Sequence, residues 1–378
     1  MPFLFFPFDR GIEGSLLKIN ELITEAKRVI GERMQLDYFS QFYGTVIFRQ
    51  DLDRITREEI ESLIRALMAN GIYAQLQITN REYLLRLIAE YSKVKREKKY
   101  LNLILFLATF FTTGYTAAFL YGMDLNYSIQ YAVSLLLILT AHEMGHYYYA
   151  FRHKIYATLP YFLPLPVFSP IGTLGAFIKM KSPIPDKRAL FDVGIAGPVA
   201  GFIVSLIILW IGFARLPDLE GVRAYITEIH PWSASGEGAL TVGNSILFQF
   251  LRSSMGATHL PMYEIYHYPL IFSGWIGLFV TALNLMPIGQ LDGGHISYAL
   301  LGRKARYVAI GAFIALAALN FYSTNWLLWT ILLLFVIRLK HPPTMNDHVE
   351  IDRSRQILGW ISYLIFITCF PPAPLYFS

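Results

Sequence analysis

From residue 100 onward the chain returns again and again to long apolar stretches, and nothing else in it limits the fold as sharply. The stretches cover residues 101–122, 127–150, 190–213, 269–290, 306–321, 325–340 and 356–371, the last three being the shortest. About 20 helical residues cross a ~30 Å hydrocarbon core. Such a set belongs either to a polytopic membrane protein or to a very large buried core, and no soluble fold needs so many long uncharged runs. Composition points the same way. Hydrophobic residues make up 54% and charged residues 16%, where soluble chains average roughly 45–50% and about 25%. The expected fold class is therefore a polytopic α-helical membrane protein with about seven transmembrane helices.

Residues 1–97 have a different texture. Helical periodicity runs from Gly11 to Arg33, and FYGTVIFRQ at 42–50 has the look of a strand. Thr56 with Glu59 three residues on forms a capping-box signature, followed by Ile60, Leu63, Ile64 and Leu67 at helical spacing. Gly71 closes that helix, IYAQLQI at 72–78 alternates as a second strand, and Asn80 to Lys99 is read as a second helix. The expected organisation is a small soluble α/β accessory domain over 1–97 and a membrane-embedded domain over 98–378.

The net charge of +5 is modest, and the basic residues cluster beside apolar runs. This pattern suits membrane orientation and not nucleic-acid binding. Lys93, Lys95, Arg96, Lys98 and Lys99 precede the first run, Arg152 and Lys154 follow the second, and Arg303, Lys304 and Arg306 follow the fourth. The 214–268 loop is richer in acids. These clusters put the N-terminal domain in the cytosol and the 214–268 loop outside. The expected location is multi-pass in a prokaryotic cell (inner) membrane. One cysteine, Cys369, excludes an internal disulfide. The opening MPFLFFPFDRGIEG has no basic n-region and is broken by Pro2 and Pro7, which makes it a poor signal or transit peptide.

The chemistry concentrates in LTAHEMGHYYYA. His142 and His146 stand at i and i+4, so both project from one helix face toward one metal ion, and Glu143 beside them is placed to take a proton from an attacking water. Inside an apolar span, ionisable groups are costly and usually functional; the alternative is a pair of histidines satisfied by helix packing. A catalytic zinc site needs a third protein ligand. Asp292, in ALNLMPIGQLDGGH, is the only carboxylate between Glu264 and Asp347, and Pro287, Gly289, Gly293 and Gly294 mark an irregular helix end around it. Irregular backbone at membrane depth is tolerated where it lines a polar cavity. His142 lies roughly 12 Å from one end of its span and about 20 Å from the other, a depth that Asp292 can share.

With HEMGH at 142–146 and NLMPIGQLDGG at 284–294, the chain resembles the site-2 protease family of intramembrane metalloproteases. AGPVAG at 196–201 and PYFLPLPVFSPIGTLGAF at 160–177 extend the likeness over most of residues 100–300. The branch with an N-terminal soluble domain, the plant ethylene-dependent gravitropism-deficient and yellow-green type, is the most similar. The resemblance implies zinc, one per chain, held by His142, His146 and Asp292, with Glu143 as general base and Asn284 close to the site, its amide facing a scissile carbonyl. It implies transmembrane protein substrates and a lipid setting. Gly201 departs from the Asn that many relatives carry at the end of AGPxxN.

The interrupted 158–181 segment reads as a re-entrant hairpin, either an edge for an unwound substrate or a plain packed loop. NSILFQFLR at 244–252 is either a surface-lying amphipathic segment or a simple loop helix. His230, His259 and His267 share the 214–268 loop without a metal-binding spacing, His153 belongs to a basic edge cluster, and His295 is either a partner of the site or an interfacial histidine. Two other functions compete: a catalytically silent homologue that binds client membrane proteins, and a metal transporter, which would carry paired broken helices. The sequence names no particular substrate and no oligomeric state.

Overall fold

The computed structural model describes residues 15–40, 45–70, 72–78, 82–88, 99–165, 169–229, 240–333 and 341–377. Near the N-terminus, helix α1 (Ser15–Ile30) leads into strands β1 (Gln35–Ser40) and β2 (Thr45–Asp51), helix α2 (Arg57–Ala69), and strands β3 (Tyr73–Ile78) and β4 (Glu82–Ile88). The four strands form one antiparallel sheet in the order β1-β2-β4-β3. Alternation decides which face is buried. Val46 and Phe48, Ala74 and Leu76, and Tyr83, Leu85 and Leu87 point inward to meet Ala26 and Ile30 of α1 and Ile60, Leu63, Ile64 and Leu67 of α2. The Thr56–Glu59 capping box forms as its spelling requires, and the Thr56 amide and hydroxyl, both donating to the Glu59 carboxylate, hold it below its usual range.

β4 corrects the sequence reading, which ran a helix through Asn80 to Lys99. Within β4 the buried residues are Tyr83, Leu85 and Leu87, every second position, and a sheet buries period two. Gly71, residues 42–44 and residues 89–98 lie outside the described residues.

The remainder is dominated by helices: α3 (Lys99–Tyr121), α4 (Leu125–Arg152), α5 (Lys187–Ala214), α6 (Leu219–Ile229), α7 (Ile246–Ser254), α8 (Pro269–Leu285), α9 (Asp292–Leu301), α10 (Ala305–Leu319), α11 (Trp326–Leu332) and α12 (Arg353–Cys369). Between α4 and α5 lies a hairpin of β5 (Tyr161–Pro164) and β6 (Thr173–Phe177); β7 (Leu240–Val242) pairs with β8 (Leu375–Phe377). Among the described helices, α3 and α5 are long and apolar enough to cross a membrane by length and composition, and α8 is a shorter apolar helix. α4 is as long as α5 and contains HEMGH.

These helices are inverted relative to a soluble core. α3 buries Thr109, Thr113 and Thr116 and exposes Leu103, Ile104, Phe111 and Phe119. α5 buries Gly194, Gly197, Gly201 and Gly212 and exposes Ile203, Ile207 and Trp210. Small and polar residues inside with large apolar ones outside is the arrangement lipid favours, and a soluble monomer rarely shows so broad an apolar exterior. α4, α5 and α8 pack on one another at the centre, where the Ser134 hydroxyl of α4 donates to the Ser273 hydroxyl of α8 at 2.7 Å. The β5–β6 hairpin rests on α3: the Thr112 hydroxyl donates to the Gly172 carbonyl, and the Asn102 amide to the Pro160 carbonyl, both at 2.9 Å. Gly172 has φ +80°, and a Cβ there would lie 2.7 Å from the Thr113 Cα. The 244–252 segment is helical as α7, whose N-terminus is capped by Ser245.

Candidate metal centre

The long apolar run at 269–290 is two pieces. α8 ends at Leu285, where Pro287 has no amide hydrogen to continue the ladder. The chain turns through Gly289, at φ +55°, and restarts as α9 with Asp292 as its first residue. The return is so tight that a Cβ on Gly293 would lie 2.0 Å from the Leu285 carbonyl oxygen, and one on Gly294 2.3 Å from that of Gly289. Only glycines fit, and this close fold delivers a carboxylate into the apolar interior.

There it meets α4. His142 Nε2 and His146 Nε2 are 3.1 Å apart, and Asp292 Oδ2 lies 3.4 Å from the first and 3.3 Å from the second. All three side chains are buried, and among the described residues they form the one group of metal-ligating side chains of this kind. A tetrahedral zinc with ligands at about 2.0–2.1 Å holds its donors about 3.3–3.4 Å from one another, so the donor set fits that ion in chemistry and spacing. The His146 ring is oriented by its other nitrogen, 2.7 Å from the Val193 carbonyl of α5, which leaves Nε2 for the centre.

AGPVAG is the middle of α5, packed onto both histidines. A Cβ on Gly197 would lie 2.1 Å from His146 Nε2, and one on Gly201 3.2 Å from His142 Nδ1. A larger residue at 201 would press on the His142 ring. Glu143 is buried on α4 beside the donors. Asn284, one residue before the end of α8, puts its Nδ2 3.3 Å from His142 Nε2. The structure thus gathers at one place all five residues singled out from the sequence.

Residues 130–321, just over half of the chain, match the family model described as Peptidase family M50. The chain belongs to Peptidase family M50. It is similar to proteins named probable zinc metalloprotease EGY1, chloroplastic, from Oryza sativa subsp. japonica (29% identical) and from Arabidopsis thaliana (28%), and to probable zinc metalloprotease EGY2, chloroplastic, from Arabidopsis thaliana (30%). Each match spans 64% of this chain and 40–42% of the relative's length. No solved structure matches the chain. Zinc is the ion that this M50 chain's donor set serves. The prokaryotic inner-membrane location expected from the sequence is corrected by these relatives: they are chloroplastic plant proteins, which points to a chloroplast membrane.

Several contacts around the centre escape sequence reasoning. His153, read as one of a basic edge cluster, puts Nε2 2.8 Å from the Asp192 carboxylate, which also accepts from Arg355 at 2.6 and 2.7 Å. Asp192 adjoins Val193, so this cluster braces the carbonyl that orients His146. His259 is hydrogen-bonded to the Gly256 and Pro217 carbonyls, and His267 lies beside Glu264, so these two do not share an ion; His230 is outside the described residues.

Proposed function

We propose that the chain is an intramembrane zinc metalloprotease that hydrolyses peptide bonds of transmembrane protein substrates within or near the membrane. The observation that carries this reading is the convergence of three buried donors from two distant segments, 3.1–3.4 Å apart, with a buried carboxylate next to them on α4. His142, His146 and Asp292 hold the ion, and zinc bound there supplies the Lewis acid that polarises the scissile carbonyl. Glu143 takes a proton from the attacking water and delivers it to the leaving amine. The Asn284 amide donates to the carbonyl oxygen as charge develops on it. The surrounding apolar packing excludes bulk water, which strengthens each of these interactions. A substrate helix must unwind first, since its amides are tied within the helix.

In this reading residues 98–378 are the membrane-embedded catalytic domain, with about seven crossings and lipid against the exposed apolar faces. Residues 1–97 are an accessory domain on the side that carries the basic clusters. The test is cleavage of a model transmembrane substrate by purified full-length protein in lipid. The reading requires cleavage that a chelator stops and added zinc restores. Stoichiometric zinc with no cleavage of any transmembrane substrate would replace it with a client-binding role.

A further inference from the structure

α9 presents Asp292 to the metal, yet little in its own sequence fixes its position. It has ten residues, its Leu291 N-cap makes no side-chain bond, and an irregular turn precedes it. Helices this short are marginal on their own, so packing must place it. Part of that packing comes from α5 and α12: Gly194 leaves room for the His295 side chain, and Ser297 is hydrogen-bonded to the Tyr363 hydroxyl at 2.6 Å.

Another part comes from the segment 341–348, which supplies no ligand. His341 Nε2 is 2.6 Å from His295 Nδ1, and its ring stacks on Tyr298 with centroids 4.5 Å apart and planes at 22°. The Tyr298 hydroxyl donates to Asp347 Oδ2 at 2.6 Å, while Asp347 Oδ1 accepts from the Thr344 amide and hydroxyl at 3.0 and 2.7 Å. The segment therefore grips α9 at two residues one turn apart.

Its other side is tied to the N-terminal sheet. The Leu76 amide of β3 donates to the Met345 carbonyl at 2.7 Å, and the Gln75 side chain to the Thr344 carbonyl at 3.3 Å. The Met345 side chain is buried in the core between that sheet and α1 and α2. Arg57 of α2 donates to the His348 carbonyl at 2.5 Å. A third anchor lies before α5, where the Met345 and Asn346 amides donate to the Ile184 and Pro185 carbonyls.

We infer that residues 341–348 form a positioning strap through which the N-terminal domain sets the placement of α9, and so of Asp292, at the metal centre. His341, Tyr298 and Asp347 are positioning residues: they act on the centre through α9 and touch no reacting atom. The inference rests on the metal-centre reading, and the experiment separates the two. Zinc-loaded full-length protein is mixed with excess chelator and zinc transfer is timed. Tyr298→Phe removes one oxygen, His341→Ala removes the grip on His295, and Met345→Ala perturbs the strap from inside the N-terminal core. The first two should release zinc about tenfold faster, near the low end of what loss of a ligand's supporting partner costs. Met345→Ala should accelerate release in the same direction. With cobalt(II) in place of zinc, all three should alter the visible absorption bands, a readout that general loss of stability does not move. Wild-type release and wild-type cobalt bands in Tyr298→Phe and Met345→Ala would overturn the strap. Full zinc in His146→Ala would instead overturn the metal centre on which it rests.

Discussion

Gly197 has almost no room for change. A methyl group there would occupy the place of the His146 ring, 2.1 Å from Nε2. α4 and α5 touch closely along this stretch, where a Cβ on Gly145 would lie 2.5 Å from the Ala196 carbonyl oxygen, so Gly197→Ala should displace His146 and lower zinc content, as metal analysis of the purified variant would report. Asp292→Ala should also lower zinc, because it removes a donor. Asn284→Ala should leave zinc in place and slow turnover by on the order of 10²–10³-fold, the usual effect of losing one oxyanion donor. Unchanged zinc in Asp292→Ala would move the third ligand elsewhere. Away from the centre, Glu264 is buried between α7 and α8, and burial pushes its carboxyl up to about 7. The folded state therefore holds a proton that the unfolded chain has released. Stability from this group is full below about 4.5 and is lost as pH rises toward 7. Glu264→Gln should flatten the melting temperature over that range; an unchanged slope would refute the assignment. The five residues gathered at the centre stand out in the sequence because each is a rare polar type in an apolar run. The Asp192–His153–Arg355 cluster and the His295–His341 contact could not, since they join residues dozens to over a hundred positions apart that look ordinary in their own segments.

Between elements, the decisive feature is the return from α8 to α9. The proline and glycines of LMPIGQLDGG announce an irregular helix end, but the sequence does not reveal that Asp292 opens a new helix. That depends on how closely the two backbones approach. Gly293→Ala tests the return: with Leu285 O 2.0 Å from the added carbon, the turn must widen, and both zinc content and melting temperature should fall. Wild-type values for both would show that the turn has slack. α2 with its capping box and α3 with its long apolar run matched their sequence signals. β4 did not, because a seven-residue apolar-rich segment fits either period until neighbouring strands select one. β7 and β8 were equally hidden: each is three residues long, and they meet across more than 130 positions of chain.

For the molecule as a whole, apolar exteriors on α3 and α5 support burial in lipid, while the number of crossings remains part of the functional proposal. The strap gives that proposal a geometric constraint: residues 341–348 touch the N-terminal sheet, so both must lie on one side of the membrane. Cys369 is buried, so single cysteines placed at Glu61 and Glu220 can be labelled with little background. Labelling from opposite sides is expected, and labelling from the same side would contradict the topology. Alternating basic clusters give a sidedness but no compartment, and the chloroplastic relatives corrected the location. Metal binding and peptide hydrolysis are joined most directly in Glu143→Gln. That change keeps the side chain's shape and removes its basicity. Zinc content and cleavage of a transmembrane substrate should be measured on the same sample. The account predicts one zinc per chain together with turnover reduced by at least about 10²–10⁴-fold. Full cleavage by the zinc-loaded variant would contradict it.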